Sequence, residues 1–232
     1  MSKHGKKYIN ADKKRVRGEV LLVDQALAKV KELAYAKFDE TVDVHVNLGI
    51  DPTQGEQAVR GSLVLPFSKG VAPRIIVFAK GEYADEAKKA GADVIGTDDL
   101  VEKINGGWLE FDYAVATPDL MGMVGKLAKL LGPRGLLPNK KLGTVTFDVQ
   151  EIVKDLKKGR LFFKNDKSGL VHFTIGSVSF DASKLRENLT TFIKALASVK
   201  PSSSKGKFIK KVTIASTMGV GVQVNTDEVL LA

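Results

Sequence analysis

The chain has 232 residues, 44% of them apolar and 27% charged, an ordinary globular mixture that excludes disorder along its whole length and allows one or two cored domains. It has no cysteine and no apolar run near bilayer length, which excludes disulfides, thiolate metal sites, cysteine nucleophiles and a spanning helix. Thirty-six basic against 27 acidic side chains give a net charge of +9, which favours nucleic acid or an anionic surface as partner, unless the charge serves solubility alone.

The first seventeen residues carry seven cations against Asp12. They read as a basic arm that orders, if at all, on a partner, and not as a signal peptide. A helix follows, with Asp24 as its expected N-cap and Leu27, Val30, Leu33 and Ala34 at helical spacing. Over 41–49 the pattern turns to alternation. Val42, Val44, Val46 and Leu48 share one face, and Thr41, Asp43, His45 and Asn47 the other, which is a strand with one buried side. A turn-rich stretch at 51–55 leads to a second strand over 61–65.

The middle differs in character. Continuous apolar runs at 74–79 and 111–116 alternate with helical stretches, which predicts a small parallel sheet covered on both faces. An apolar helix is expected over 120–131. Residues 67–159 thus read as a Rossmann-like three-layer α/β unit. Its first strand-to-helix turn, Ala79-Lys80-Gly81-Glu82, lacks the dinucleotide glycine pattern, and no P-loop occurs, so a nucleotide is not implied. After Arg160 alternation returns. Residues 161–180 predict a hairpin around a turn at 165–169. A helix capped by Asp181 and stopped by Pro201 follows, then a loop over 200–211 with five lysines and no acid. A final strand is expected from Val212 to about Asn225, interrupted at Gly219 and Gly221.

The charge follows this division. Residues 67–160 hold 15 basic and 13 acidic side chains, which leaves 21 basic and 14 acidic ones for the two ends. The simplest organisation pairs 1–66 with 160–232 as one α+β domain and inserts 67–159 as a second. Pro66, Gly70, Pro73 and Gly159 would mark a flexible double crossing.

Three stretches bear on chemistry. His4, His45 and His172 are scattered and lack metal-ligand spacing; His45 and His172 sit on polar strand phases, either as plain surface residues or as contacts to a phosphate or base. GPRGLLPNKK over 132–141 presents Arg134, Asn139, Lys140 and Lys141 on a stiffened loop, either a helix stop or a secondary anion-facing loop. STMGVG over 216–221 combines hydroxyls, a flexible apolar side chain and glycines, either a strand bulge or a surface for close approach to RNA.

Together, AKFDETVDVHVNLGID (36–51), VRG (59–61), GPRGLLPN (132–139), NDKSGLVHFTIG (165–176) and STMGVGV (216–222) resemble the large-subunit ribosomal protein L-one family in its bacterial form, in order and through nearly the whole chain. The resemblance implies a non-enzymatic, cytoplasmic ribosomal protein without cofactor or metal, monomeric when free and with no membrane partner. It implies binding of large-subunit ribosomal RNA at the base of a mobile stalk beside the exit-site tRNA, assistance to release of deacylated tRNA, and repression through its own operon mRNA. The RNA face it implies comprises Lys37, Phe38 and Thr41, with Lys167, Gly169 and His172 from the expected hairpin and Ser216, Thr217, Met218 and Gly219 from the last strand; His45 joins them on the polar phase of its strand. Two departures stand out: Ser177 where the family usually has lysine, which removes one phosphate contact, and Lys140–Leu142 where proline and valine are common. Thr217→Val is expected to weaken RNA binding with little loss of folding. Rival readings are a general nucleic-acid binder and a Rossmann-type small-molecule enzyme on the middle unit.

Overall fold

The computed structural model describes residues 5–68, 73–204, 206–226 and 228, the side chain of Lys141 excepted. In chain order, α1 (Lys6–Lys13), β1 (Val20–Leu21), α2 (Val23–Leu33), β2 (Thr41–Leu48) and β3 (Arg60–Val64) come first. Then follow β4 (Ile75–Phe78), α3 (Glu82–Ala90), β5 (Val94–Gly96), α4 (Asp98–Asn105), β6 (Tyr113–Ala116), α5 (Met121–Val124), α6 (Ala128–Leu131) and α7 (Val149–Lys157). The chain ends with β7 (Arg160–Lys164), β8 (Leu170–Ser177), α8 (Ala182–Ser198), β9 (Ile209–Ser216) and β10 (Val222–Val224). It divides into two compact units, Met1–Lys69 with Phe162–Ala232 and Gly70–Leu161.

The first unit is built on a five-stranded sheet in the order β1-β10-β9-β2-β8. Its interior strand β2, between β9 and β8, alternates as its sequence demands: Val42, Val44, Val46 and Leu48 are buried, and the residues between them are not. The buried face packs against α2, through Ala26, Leu27 and Val30, and against α8, through Leu185, Leu189, Phe192 and Leu196. Both helices lie on the same side, so the opposite face of the sheet stays polar and open. Asn188 is buried in the α8 stripe. Its amide accepts from the Phe67 N–H at 3.1 Å and donates to the Phe67 and Ile175 carbonyls at 2.7 Å, which satisfies a polar group the core could not otherwise hold.

The second unit is mixed α/β, as its apolar runs require. A parallel sheet β5-β4-β6 has β4 buried along its whole length. Ile76 and Phe78 enter a core with Leu100, Ile104, Leu127 and Leu131. Ile75 and Val77 leave by the other face, where α3 and α7 pack together with Ala87, Val153 and Leu156 buried.

Several elements depart from their sequence patterns. Within the basic arm, residues Lys6–Lys13 form α1, and Lys3 lies outside the described residues. Asp12 bridges Arg15 at 2.8 Å and Arg17 at 2.6 Å, and the Arg15 Nη1 donates to the Gly221 carbonyl at 2.7 Å, so intrachain contacts replace the partner that was expected to order it. Asp24 does not cap α2. Leu22 holds that position, the Val23 N–H is met by Glu228 at 3.0 Å, and Asp24 instead pairs with Arg186 at 2.7 Å. Residues 120–131 break into α5, a tight turn at Gly125–Leu127 and α6, since Gly122 and Gly125 weaken a continuous helix.

The expected hairpin over 161–180 is not a ladder either. The Asn165 backbone N–H donates to the Val59 carbonyl at 3.0 Å, and its side chain accepts from the Val59 N–H at 2.8 Å. That clamp draws β7 to β3, while β8 pairs with β2. The last strand is in fact a hairpin, β9 and β10 pairing antiparallel with Val222 opposite Ile214. Gly219 makes the reversal possible, because a Cβ there would collide with Ser216 Oγ.

Candidate nucleic-acid interface

The open face of the five-stranded sheet carries a row that crosses every strand. Its register runs His172, His45, Thr213, Gln223 and Val20. Thr41, Asp43 and Asn47 of β2 lie on the same face, with Thr174 of β8 beside Asp43 and Lys211 of β9 beside Asn47.

At one end of β2 the structure brings together two segments 176 residues apart. The Thr41 N–H donates to Thr217 Oγ1 at 2.9 Å, the two threonine hydroxyls lie 2.6 Å apart, and the Thr217 N–H returns a bond to the Thr41 carbonyl at 3.0 Å. Behind them Glu40, only 1% exposed, accepts from the backbone N–H of Tyr35 at 3.1 Å, Ala36 at 2.7 Å and Met218 at 3.1 Å. Burial pushes this carboxyl upward, but the neighbouring Ser216 hydroxyl and those backbone amides outweigh it and hold Glu40 below the usual carboxylate range. The clamp leaves Lys37 at the surface and exposes two large apolar side chains, Phe38 at 56% and Met218 at 50%. Rigidly held, exposed apolar groups flanked by hydroxyls and a cation are what stacking against bases or ribose requires.

In the middle of the face His45 Nδ1 and His172 Nδ1 lie 2.8 Å apart, with ring centroids at 5.0 Å. One imidazole donates and the other accepts, so the contact holds with at least one ring neutral. Asp43 takes a bond from Thr174 at 2.6 Å, and Asp166 stands 3.7 Å from His172 Nε2. Burial lowers the His45 pKa, the charge of His172 lowers it further, and Asp43 opposes them. As pH falls through the ordinary histidine range near ~6.5, the unfolded state takes up this proton first. Stability from His45 is therefore complete above that range and drains below it. His45→Gln is expected to flatten the decline of the urea midpoint between pH 7 and 5; a profile identical to that of the parent chain would contradict this.

The far end of the face is the 165–169 turn, some 20 Å along β2 from Thr41 at about 3.4 Å per residue. Asp166 holds it by accepting from the N–H groups of Ser168 and Leu170, both at 2.8 Å. Lys167 is exposed there. Lys37 and Thr217 thus sit at one end of the open face and Lys167 at the other.

Two residues expected on the RNA face, Ser216 and Gly169, are not there. Ser216 falls on the buried phase of β9. Gly169 is buried under Ile50 in a left-handed conformation at φ +75°, and its carbonyl accepts from the Leu48 N–H, so its role is the turn itself. Ser177 is buried, which removes it from phosphate contact for a geometric reason. Thr217 is exposed, but its hydroxyl is a bonding partner of Thr41, so Thr217→Val disturbs the fold as well as any contact with RNA. In the second unit Arg134 and Lys140 are exposed. The backbone of Asn139 is engaged with Thr144 and Leu142. The Lys141 side chain lies outside the described residues.

Residues 30–220 match the model of the ribosomal protein L1p/L10e family. The chain belongs to this family. It is also 51% identical over 225 residues to the large ribosomal subunit protein uL1 of Desulfotalea psychrophila, covering 97% of this chain and 96% of that one. Membership identifies a structural ribosomal protein and sets aside the enzyme reading of the second unit. Sequence reasoning missed Glu40 and Asp166, the two carboxylates that shape the ends of the face. Their signal was slight: each is an acid beside a lysine-bearing motif in an otherwise basic unit.

Proposed function

We propose that the chain is a large-subunit ribosomal protein of the cytoplasm whose first unit binds ribosomal RNA across the open sheet face. Phe38, Met218, Thr41 and Thr217 grip one end, His45 and His172 sit at the centre, and Lys37 and Lys167 neutralise phosphates. The observation that carries this is the joined pair of loops holding Phe38 and Met218 outward above a buried carboxylate. Binding combines salt-dependent phosphate neutralisation with recognition of shape and 2′-hydroxyls, because A-form RNA hides its base edges in a narrow major groove. The units defined by residues 1–66 with 160–232 and by 67–159 act as an anchor and a hinged second body. The RNA site lies at a mobile stalk beside the exit-site tRNA, where the second body follows and helps to release deacylated tRNA. A similar structure in the chain's own operon mRNA makes it a translational repressor, and the free protein is a monomer. Arg134 and Lys140 give the second body its own anion-facing loop.

Footprinting on large-subunit ribosomal RNA at physiological salt tests the assignment; protection no stronger than on random RNA would refute it in favour of a general nucleic-acid binder. Phe38→Ala and Met218→Ala are each expected to weaken binding by about 1–3 kcal/mol, the scale of a lost stacking contact. Both should leave the unfolding midpoint in place, since the side chains are half exposed and bear none of the clamp's hydrogen bonds. Filter binding alongside urea unfolding separates the two quantities. Full affinity in both variants removes this end of the face from the site.

A further inference from the structure

A groove of about 280 Å³ lies where the N-terminal segment, α2, β9 and β10 meet. Arg15, Arg17, Lys29 and Lys211 line it, with Glu19 as the single acid in its wall. We propose that this groove is a second phosphate-binding subsite, taking the backbone of an RNA segment that runs off the edge of the sheet; the inference rests on the RNA reading above.

Three observations support it. Thr213 and Gln223, which also line the groove, belong to the row that carries His45 across the open face, so the groove continues that face. One carboxylate, Asp12, holds both Arg15 and Arg17, which brings two guanidiniums to one wall of the groove, and Arg17 stays largely exposed there. Val16 and Leu21 give the remaining wall an apolar character, which suits the sugar carbons of a nucleotide. The volume is just below the range of about 300–1,000 Å³ usual for small-molecule sites and fits a phosphodiester with its ribose better than a larger ligand. Of the lining residues, only Lys211 and Thr213 lie within the span matched by the family model.

The test uses the full chain, large-subunit ribosomal RNA as probe, and affinity measured across a series of salt concentrations. The double variant Arg17→Gln with Lys211→Gln removes two groove cations. Lys88→Gln with Lys89→Gln removes two from α3 in the second unit as a charge-matched control. The groove variant is expected to lose roughly tenfold in affinity per cation at 0.1 M salt and to flatten the logarithmic salt slope by about two, with the control unchanged. Equal losses in both pairs, or no change in the groove pair, overturn the subsite. If the double variant loses its fold, Lys29→Gln gives the reading: a tenfold loss supports the groove and an unchanged affinity refutes it. Failure of the unmodified chain to prefer ribosomal over random RNA is a separate result, and it refutes the RNA reading itself.

Discussion

Replacing Glu40 with alanine is expected to lower the stability of the first unit by about 3 kcal/mol, the scale of losing hydrogen bonds to a charged group. It is also expected to weaken RNA binding. The two effects share one cause. The Glu40 carboxylate is the common acceptor for the N–H groups of Tyr35, Ala36 and Met218, and with it gone, three backbone donors in a nearly closed space need water to meet them. The loop bearing Phe38 and the turn bearing Met218 then lose the group that holds them at a fixed separation. Glu40→Gln keeps one good acceptor but turns an amide NH₂ toward a donor, so its loss should fall between those of the parent and the alanine variant. Because the folded carboxyl titrates below its ordinary range, its contribution is complete above about pH 4.3, the unfolded value, and is lost as pH falls through the folded one. Urea unfolding across pH 7 to 3 should therefore show a weaker acid limb in the glutamine variant. A drop of less than 1 kcal/mol for Glu40→Ala at pH 7 would refute the clamp.

How much of this was legible in the sequence depends on whether an element is decided by its own residues. The strict alternation of β2 is local, and it placed Val42 to Leu48 on the core side and His45 on the open side without any knowledge of partners. The apolar runs of β4 and β6 likewise announced a sheet covered on both faces. What failed was decided at a distance. An ordinary turn joins β7 to β8, but Asn165 is clamped to Val59, and the pairing of β7 goes to β3 instead. The ends of the chain looked unstructured or single-stranded because β1 has only two residues and is defined by its parallel partner β10. Arg15 reaches the Gly221 carbonyl, and no spacing rule connects positions 206 residues apart. The candidate site divides in the same way. Motif letters placed Phe38, Thr41, Thr217 and Met218 in one region. Ser216 needed the phase of its strand: it follows Val212 and Ile214 at a spacing of two and so falls on the buried side.

The largest loss of stability is expected from Phe192→Ala, about 3–5 kcal/mol, the usual range for removing a buried aromatic side chain. Phe192 is wholly buried on α8. It stacks on Phe173 of β8 with centroids 4.4 Å apart and planes at 3°, and it meets Phe163 of β7 edge-on at 5.7 Å. These three rings connect the helix, the edge strand of the five-stranded sheet and the separate β3–β7 pair, so the cavity left by alanine opens where three elements meet and none can move in without leaving another. That places the cost at the upper end of the range, a large share of the 5–15 kcal/mol that holds an ordinary domain folded. Phe192→Leu retains much of the volume and should lose roughly half as much, since only the aromatic geometry and part of the filling disappear. Phe192 sits beneath the sheet, opposite the proposed RNA face, so the folded fraction of either variant should bind RNA with parental affinity once its stability is taken into account. Urea unfolding and RNA titration on the same samples separate the two: a normal midpoint for Phe192→Ala would contradict the packing, and a loss of affinity in fully folded Phe192→Leu would show that the core beneath the sheet sets the shape of the face above it.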